Sequence, residues 1–441
     1  MSFWSRRSFL STSLAAAGLG MAAPAAKPNV IVFLIDDMGY GDIGPYGVKD
    51  AKTPHMDRLA REGVRFVNSY SNAPVCTPTR CGLMTGRYQQ RYGLEWALLP
   101  TQREFGLAST EPTLPRLMKK AGYRTAMFGK WHLGVKPEYG PNAHGFDEFF
   151  GILGGNVDHY AHRNINGTPD LYENTELVNR PGYMTDLLND RSVKYLDGYG
   201  QSGAKDPFFL YVAYNAVHWP FQPPDRPDAR TRENWMAGTR ADYVRMVERI
   251  DDGVGAVLGV LDKHKLADNT LVILTNDNGG ERFSRNEPAF HHKATVWEGG
   301  IRVPTLMRWP GHVPAGKVSQ QTMITMDLTA TIVAAAGAAP AADRPLEGID
   351  LVPIVSGQKP ETERTLFWRI DRDDRKQKAV RRGRYKYVRD GSIEMLFDLD
   401  TDVSERHDIA PEQPKVLAEL RQSIAAWEKD LAQNPPPFVV K

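Results

Sequence analysis

The chain has 441 residues, 41% hydrophobic and 24% charged, the balance of an ordinary globular protein long enough for two packed units. A formal net charge of +2 supplies no basic field for nucleic acid, and no long run of like charge forms a tail. Two cysteines exclude a disulfide framework.

Ser5-Arg6-Arg7-Ser8-Phe9-Leu10 precedes an alanine-rich apolar stretch over residues 14–23 and the small-residue site Ala23-Pro24-Ala25. Paired arginines, a short apolar segment and an A-x-A-like end have the form of a twin-arginine export signal. Residues 1–26 are expected to engage the twin-arginine export machinery and to be removed, leaving a periplasmic or secreted protein. The apolar stretch is too short for a stable membrane span of about 20 residues.

Asn29-Val30-Ile31-Val32-Phe33-Leu34-Ile35 is almost continuously apolar and stops at Asp36-Asp37. Continuous rather than alternating apolarity predicts a strand buried on both faces, as in a parallel sheet. Next comes Cys76-Thr77-Pro78-Thr79-Arg80, with Thr85-Gly86 behind it. Pro78 suits a first helical turn and Thr77 an N-cap, so Cys76 is expected to stand exposed just ahead of a helix start whose unpaired N–H groups face an anion. The same residue could equally be a small buried hydrophobe, or half of a short disulfide with Cys81. Residues 113–121 read as a helix ending at Gly122. The strand-like run from Tyr123 ends in Gly129-Lys130-Trp131-His132-Leu133-Gly134, where alternation places a cation, Lys130, and a proton carrier, His132, on one face.

A further buried run, residues 207–213, leads to His218-Trp219-Pro220. Residues 241–264 set Val244, Val247, Ile250, Val254, Leu258 and Leu261 on one helical stripe, with Asp251-Asp252 on its solvated face. Thr270-Leu271-Val272-Ile273-Leu274-Thr275 repeats the first strand and runs into Asn276-Asp277-Asn278-Gly279-Gly280. Lys293 precedes Gly299-Gly300, which permit a tight turn, and residues 327–336 form a short helix. Past Pro345, runs at 368–370, 378–381, 385–388 and 395–398 predict a small antiparallel sheet, followed by a helix over 411–432.

Strands alternating with helices predict a doubly wound α/β domain over residues 27–345, a large mixed or parallel sheet sandwiched by helices. Residues 346–441 form a smaller unit of antiparallel sheet plus helix. In open α/β sheets ligands bind beyond the C-terminal strand ends. There the sequence sets Asp36, Asp37, Asp277 and Asn278, two pairs of hard oxygen donors. Adjacent carboxylates repel unless a cation holds them, and a donor set without His or Cys favours calcium or magnesium over zinc.

Cys-x-Pro-x-Arg with Thr85-Gly86 resembles the modification motif of the type I sulfatases, members of the alkaline phosphatase superfamily. Residues 29–42, 129–134, the His218 loop, 275–280, 293–304 and Leu396-Phe397-Asp398-Leu399-Asp400 with Glu405 match that family's motifs in order. The resemblance implies that a maturase oxidises Cys76 to formylglycine, whose hydrate is the nucleophile. It implies a metal, usually calcium and less often magnesium, held by Asp36, Asp37, Asp277, Asn278 and the modified Cys76. Arg80 would hold the formylglycine, and Lys130, His132, His218 and Lys293 would surround the sulfate. His218 with Lys293 would protonate the leaving oxygen, and His132 would take a proton from the second hydroxyl of the hydrate. Where some members carry a sulfate-binding serine, this chain has Gly151-Ile152-Leu153-Gly154-Gly155-Asn156, so Asn156 or His159 is expected to substitute. The implied substrate is a sulfated saccharide of galacto or galactosamine type, in a pocket lined by residues 154–162 and 218–224. Rival readings are a phosphate-ester or phosphonate hydrolase of the same superfamily and a catalytically silent sugar-binding protein.

Overall fold

The structure, a computed structural model, describes Met1, residues 26–228 and residues 230–441. The export-signal reading therefore lies outside the described residues, and among those described no helix is long and apolar enough to cross a membrane.

Among the described residues ten strands form one sheet. In spatial order these are Lys317–Ser319, Val64–Phe66, Thr305–Arg308, Thr270–Asn276, Asn29–Ile35, Phe208–Ala213, Arg124–Lys130, Glu148–Ile152, Tyr172–Glu173 and Glu176–Leu177. The five central strands, Thr270–Asn276 through Glu148–Ile152, are mutually parallel. Every residue of Asn29–Ile35 and Thr270–Asn276 is buried, because helices cover both faces, and this is why these strands read as unbroken apolar runs. One face packs under helices Met184–Ser202 and Arg240–Lys263, the other under Cys76–Thr85, Leu114–Lys120 and Thr325–Ala335.

Register decides what meets at the C-terminal edge. Ile35 pairs with Asn276, Leu34 with Ala213, and Gly129 with Ala213. Asp36, Asp277 and Lys130 therefore leave the sheet side by side. Gly129 has φ +123°, and a Cβ there would lie 1.8 Å from the Ala213 carbonyl oxygen, so only glycine allows this close approach just before Lys130.

A second, four-stranded antiparallel sheet comprises Thr365–Asp371, Lys376–Arg382, Tyr385–Asp390 and Ile393–Asp398, with helix Pro414–Leu431 against it. Its core is continuous with Tyr70, Val296 and Trp297 of the main unit.

Two local expectations are corrected. The helix after Val75 starts at Cys76 itself, and Val75 has no side chain able to cap it. Thr77 instead ties two loops together, its hydroxyl donating to the His132 carbonyl (3.0 Å) and accepting the Leu98 N–H (3.1 Å). Asp251 is not on a solvated face. It is buried and accepts the N–H groups of His55 (3.1 Å) and Met56 (2.8 Å), capping helix Pro54–Arg61, whose own N-cap residue Thr53 makes no side-chain cap. A second helix packed on that side turns a polar position into an interhelix cap. Asp252 points away and pairs with Arg249 (3.1 Å). Asp251→Ala is therefore expected to cost about 1–2 kcal/mol and Asp252→Ala close to nothing, read as urea midpoints of the two variants.

Candidate active site

The site forms where three strand ends and one helix start converge. Cys76 is buried, 3% exposed, as the first residue of helix Cys76–Thr85, which corrects the expectation of an exposed cysteine ahead of the helix. Cys76 and Cys81 are both free thiols, so the disulfide alternative is not realised. Cys76 Sγ lies 3.1 Å from His132 Nδ1, and His132 Nε2 lies 2.9 Å from the Leu98 carbonyl oxygen. A carbonyl can only accept, so Nε2 carries the proton and Nδ1 presents its lone pair to Cys76. Burial, then the neighbouring Lys130 charge, pushes His132 well below the usual imidazole range. It is held neutral, as a proton acceptor.

Lys130 ends its strand, but His132 reaches the same site by a left-handed turn rather than strand alternation, with φ +57°. Asp37 and Ala294 also have positive φ, +61° and +66°. These three strained corners each aim a polar side chain at one point: His132, the Asp36-Asp37 pair, and Lys293 beside Ala294.

Asp36, Asp37 and Asp277 each present an oxygen within 4.8 Å of the others. Lys130 Nζ is 2.6 Å from Asp36 Oδ2, and Lys293 Nζ is 2.6 Å from Asp37 Oδ2. Arg80 donates through Nε (3.0 Å) and Nη2 (2.8 Å) to Asp277 Oδ2, and through Nη1 to the Lys130 carbonyl (2.7 Å). His218 Nδ1 lies 2.7 Å from the Trp219 carbonyl, leaving Nε2 facing Asp37 Oδ2 at 3.5 Å. Burial opposes the charge on Asp37, yet Lys293 and then His218 hold that carboxyl below the ordinary range. Burial and the Asp277 charge push Asp36 up. For His218, burial and then Lys293 lower the imidazole well below its usual range.

The donor set suits a hard cation. Among the described residues, Asp36 Oδ1 and Asn278 Oδ1 are buried oxygens without a hydrogen-bond partner, although Asn278 Nδ2 donates to Asp37 Oδ1 (2.7 Å). Unsatisfied buried oxygens converging from two strand ends are what an oxygen-ligated divalent ion would satisfy. Three carboxylates face three cationic side chains here, so a divalent ion would leave the site attractive to an anion.

Asn156 is half-buried and follows Gly155, where a Cβ would come within 2.8 Å of His132 Cε1. His159 is fully buried, its ring stacked on Tyr183 (centroids 5.4 Å) and its N–H donated to Gln222 Oε1 (2.8 Å). Burial lowers its imidazole to about 4. It lies against the stretch that carries His218 rather than beside Cys76 or the carboxylates.

Several supports had no sequence signal. Leu98 sets the His132 tautomer through a backbone carbonyl, which no residue type encodes. The C-terminal sheet grips the Lys293 loop: Gln377 Oε1 accepts the Val296 N–H (3.1 Å), and Arg375 Nη1 donates to the Ala294 carbonyl (2.5 Å). Ala294 in turn donates its N–H to Pro74, two residues before Cys76 (2.8 Å).

A family model described as Sulfatase matches residues 28–338, and one described as N-sulphoglucosamine sulphohydrolase, C-terminal, matches residues 286–430. Human N-acetylgalactosamine-6-sulfatase is 39% identical over 364 residues, 76% of this chain and 67% of that protein. Bovine arylsulfatase A is 32% identical over 473 residues, covering 95% and 90%. Among solved structures, Ps i-CgsB superposes with TM-score 0.86 at 32% identity over 94% of this chain and 95% of that one, and it has also been solved in complex with k-i-k-neocarrahexaose.

Proposed function

Because the chain belongs to the sulfatase family and is a sulfuric ester hydrolase, we propose that it removes sulfate from a saccharide of galacto configuration, with Cys76 as the precursor of its nucleophile. The observation that carries this is the 3.1 Å approach of Cys76 Sγ to a neutral His132 Nδ1, beside three carboxylates and three cationic side chains. The saccharide part rests on relatives named for N-acetylgalactosamine 6-sulfate and on a neighbour solved with a neocarrahexaose.

Converted to formylglycine by a maturase, position 76 would supply a hydrated aldehyde, one hydroxyl to attack sulfur and a second to release it. Asp36, Asp37, Asp277 and Asn278 would hold a divalent cation, a hard ion by their oxygen set and calcium by the resemblance to the family, supplying Lewis acidity toward the sulfuryl oxygens. Lys130 and Lys293 swing from their carboxylates to the sulfuryl oxygens and stabilise the charge that builds there. Arg80, locked on Asp277 and on the Lys130 carbonyl, keeps the helix start and the carboxylates in register. His132 Nδ1 accepts the proton of the second hydroxyl, so that the C–O bond to sulfate breaks, sulfate leaves and the aldehyde returns. His218 Nε2 and the Lys293 ammonium stand together at Asp37 Oδ2; the anionic ester offsets the burial and the Lys293 charge that keep His218 neutral, so that His218 takes up a proton at Nε2 and passes it to the leaving sugar oxygen. Asn156, next to Gly155 at the His132 ring, offers an amide to a sulfate oxygen. His159 backs the His218 stretch. Export through the twin-arginine route rests on Arg6-Arg7 and its apolar sequel.

The test is the mass of the peptide spanning position 76, from protein co-produced with a formylglycine maturase, beside release of sulfate and phosphate from matching aryl esters. The expected results are a mass about 18 Da below cysteine and sulfate released faster than phosphate. A modified peptide that turns over phosphate faster would favour the phosphatase reading. An unmodified thiol with no turnover would sink the proposal.

A further inference from the structure

An exposed aromatic surface that the chemistry above does not use lies just before Lys293. Phe290 is 37% exposed, and among the described residues no other Phe, Tyr or Trp ring is as open to solvent. His291 and His292 beside it are exposed too. The three rings are contiguous, with centroids 5.0 Å apart from Phe290 to His291 and again from His291 to His292. Buried Trp297 supports them, 5.3 Å from Phe290 and stacked on His291 at 6.3 Å. Two exposed cations flank the rings. The Arg406 guanidinium lies 5.8 Å from the Phe290 ring centre, and Arg375 Nη1 holds the Ala294 carbonyl at 2.5 Å. Neither guanidinium has an acidic partner among the described residues. The Asp390 carboxylate is engaged elsewhere, accepting from Trp297 Nε1 (3.3 Å) and Gln377 Nε2 (2.8 Å).

The ledge is fixed to the backbone that carries the site. The Phe290 carbonyl accepts the Gly299 N–H (2.6 Å), and the His291 carbonyl accepts Asn286 Nδ2 (3.3 Å). Asn286 also brackets Gly280, two residues after Asn278, and the Gly280 carbonyl accepts the Lys293 N–H (3.1 Å). Of the site's three cations Lys130 and Arg80 are sealed, whereas Lys293 keeps 13% of its side chain open. Among these cations the approach from solvent is therefore on the Lys293 side, where the ledge stands. Phe290 is three residues from Lys293, at most about 11 Å of chain, a span that neighbouring sugar units bridge. We propose that Phe290, His291 and His292, with Arg406 and Arg375, form a subsite for a further sulfated sugar unit, so that the substrate is a sulfated oligosaccharide or polysaccharide. This rests on the sulfatase reading above. A pyranose lays its C–H face on an aromatic ring and turns its hydroxyls aside, removing apolar surface on both from water. A guanidinium without a carboxylate partner offers paired N–H donors to a sulfate. Because the ledge is already ordered, the protein loses little freedom when the sugar binds.

The experiment compares matured wild type, Phe290→Ala, Phe290→Trp and Arg406→Glu on an aryl sulfate, a galactose monosulfate and two galactan tetrasaccharides. One tetrasaccharide carries sulfate on a single unit, the other on adjacent units. Wild type is expected to favour the multiply sulfated tetrasaccharide over the monosaccharide by about tenfold or more in kcat/KM. Phe290→Ala should lose about tenfold on both tetrasaccharides, mainly through KM, while Phe290→Trp keeps their advantage. Arg406→Glu should lose activity on the multiply sulfated tetrasaccharide alone, and added salt should shrink the gap between the two tetrasaccharides in wild type. Turnover of the aryl sulfate should be unchanged in every variant. The subsite is overturned by a wild type without tetrasaccharide preference, or by an unchanged profile in Phe290→Ala or Arg406→Glu. Equal losses on all four esters would overturn it too, marking a purely structural role. In each of these cases release of sulfate from the aryl ester still upholds the sulfatase reading. Wild type that releases sulfate from none of the four sinks both.

Discussion

Replacing Cys76 with alanine is expected to abolish turnover, a loss of at least about four orders of magnitude, while binding of a sulfated sugar persists. The side chain is small, 3% exposed and meets His132 through its sulfur, so alanine removes the proposed precursor of the nucleophile without emptying a large cavity. Lys130, Lys293 and the carboxylates keep their positions, since their contacts are to one another. Calorimetric titration with the sugar sulfate, beside an assay of sulfate release, reads both halves of the expectation. Cys76→Ser tests why two hydroxyls are needed. Serine offers one, so attack on sulfur can occur but the resulting ester has no neighbouring hydroxyl to expel it. Incubation with substrate should then leave the protein about 80 Da heavier, one sulfuryl group at position 76. Multiple turnovers by Cys76→Ser would contradict the two-hydroxyl argument.

The second large effect lies away from the chemistry. Lys386, on the C-terminal sheet, is fully buried between Glu298 Oε1 (2.9 Å) and Glu405 Oε1 (2.8 Å). Glu298 also accepts from Arg302 Nε (2.7 Å) and from the Tyr70 hydroxyl (2.8 Å), and the Tyr70 hydroxyl accepts from Arg381. Glu405 accepts the Glu298 N–H at the start of the short helix five residues after Lys293. Lys386→Met leaves two buried carboxylates short of a cation and is expected to cost about 3–5 kcal/mol, with kcat falling as the Lys293 loop loosens. Glu405→Gln keeps the hydrogen bond to Glu298 and should cost far less. Urea midpoints and sulfate release on both variants check this. Equal destabilisation would mean that shape rather than charge holds the junction.

The same network has a pH signature. Burial opposes ionisation of Glu298, but Lys386 and Arg302 hold it down to about 2 from 4.5. Its contribution to stability is present above pH 4.5 and is lost as pH falls through about 2. Glu405 behaves oppositely: burial, and repulsion by Glu298 against the pull of Lys386, push it up to about 7 from 4.5. The folded state there holds a proton the unfolded state has released, so this contribution declines as pH rises from 4.5 through 7. Glu405→Gln should therefore flatten the stability profile between those values.

Much of this protein was legible in the chain itself. Strands buried on both faces must be apolar at every position, so Asn29–Ile35 and Thr270–Asn276 declare themselves, and the polar residues that follow them must lie at one sheet edge. The Cys76 to Arg80 run and the four oxygen donors are local runs, and covalent neighbourhood alone places each run together.

What the chain could not declare depends on partners distant in sequence. Asp251 reads as surface until helix Pro54–Arg61 lies against it. His132 reads as one face of a strand until a left-handed turn and the Leu98 carbonyl aim it and set its proton. Lys386 reads as a scattered charge, and Glu405 as no more than a motif position, until folding buries them against Glu298. Residue type and spacing determine which groups are available and on which element they sit. Which of them are buried, neutral, paired or left without a donor is decided by long-range packing, because desolvation and hydrogen bonding are properties of the neighbours that folding brings in.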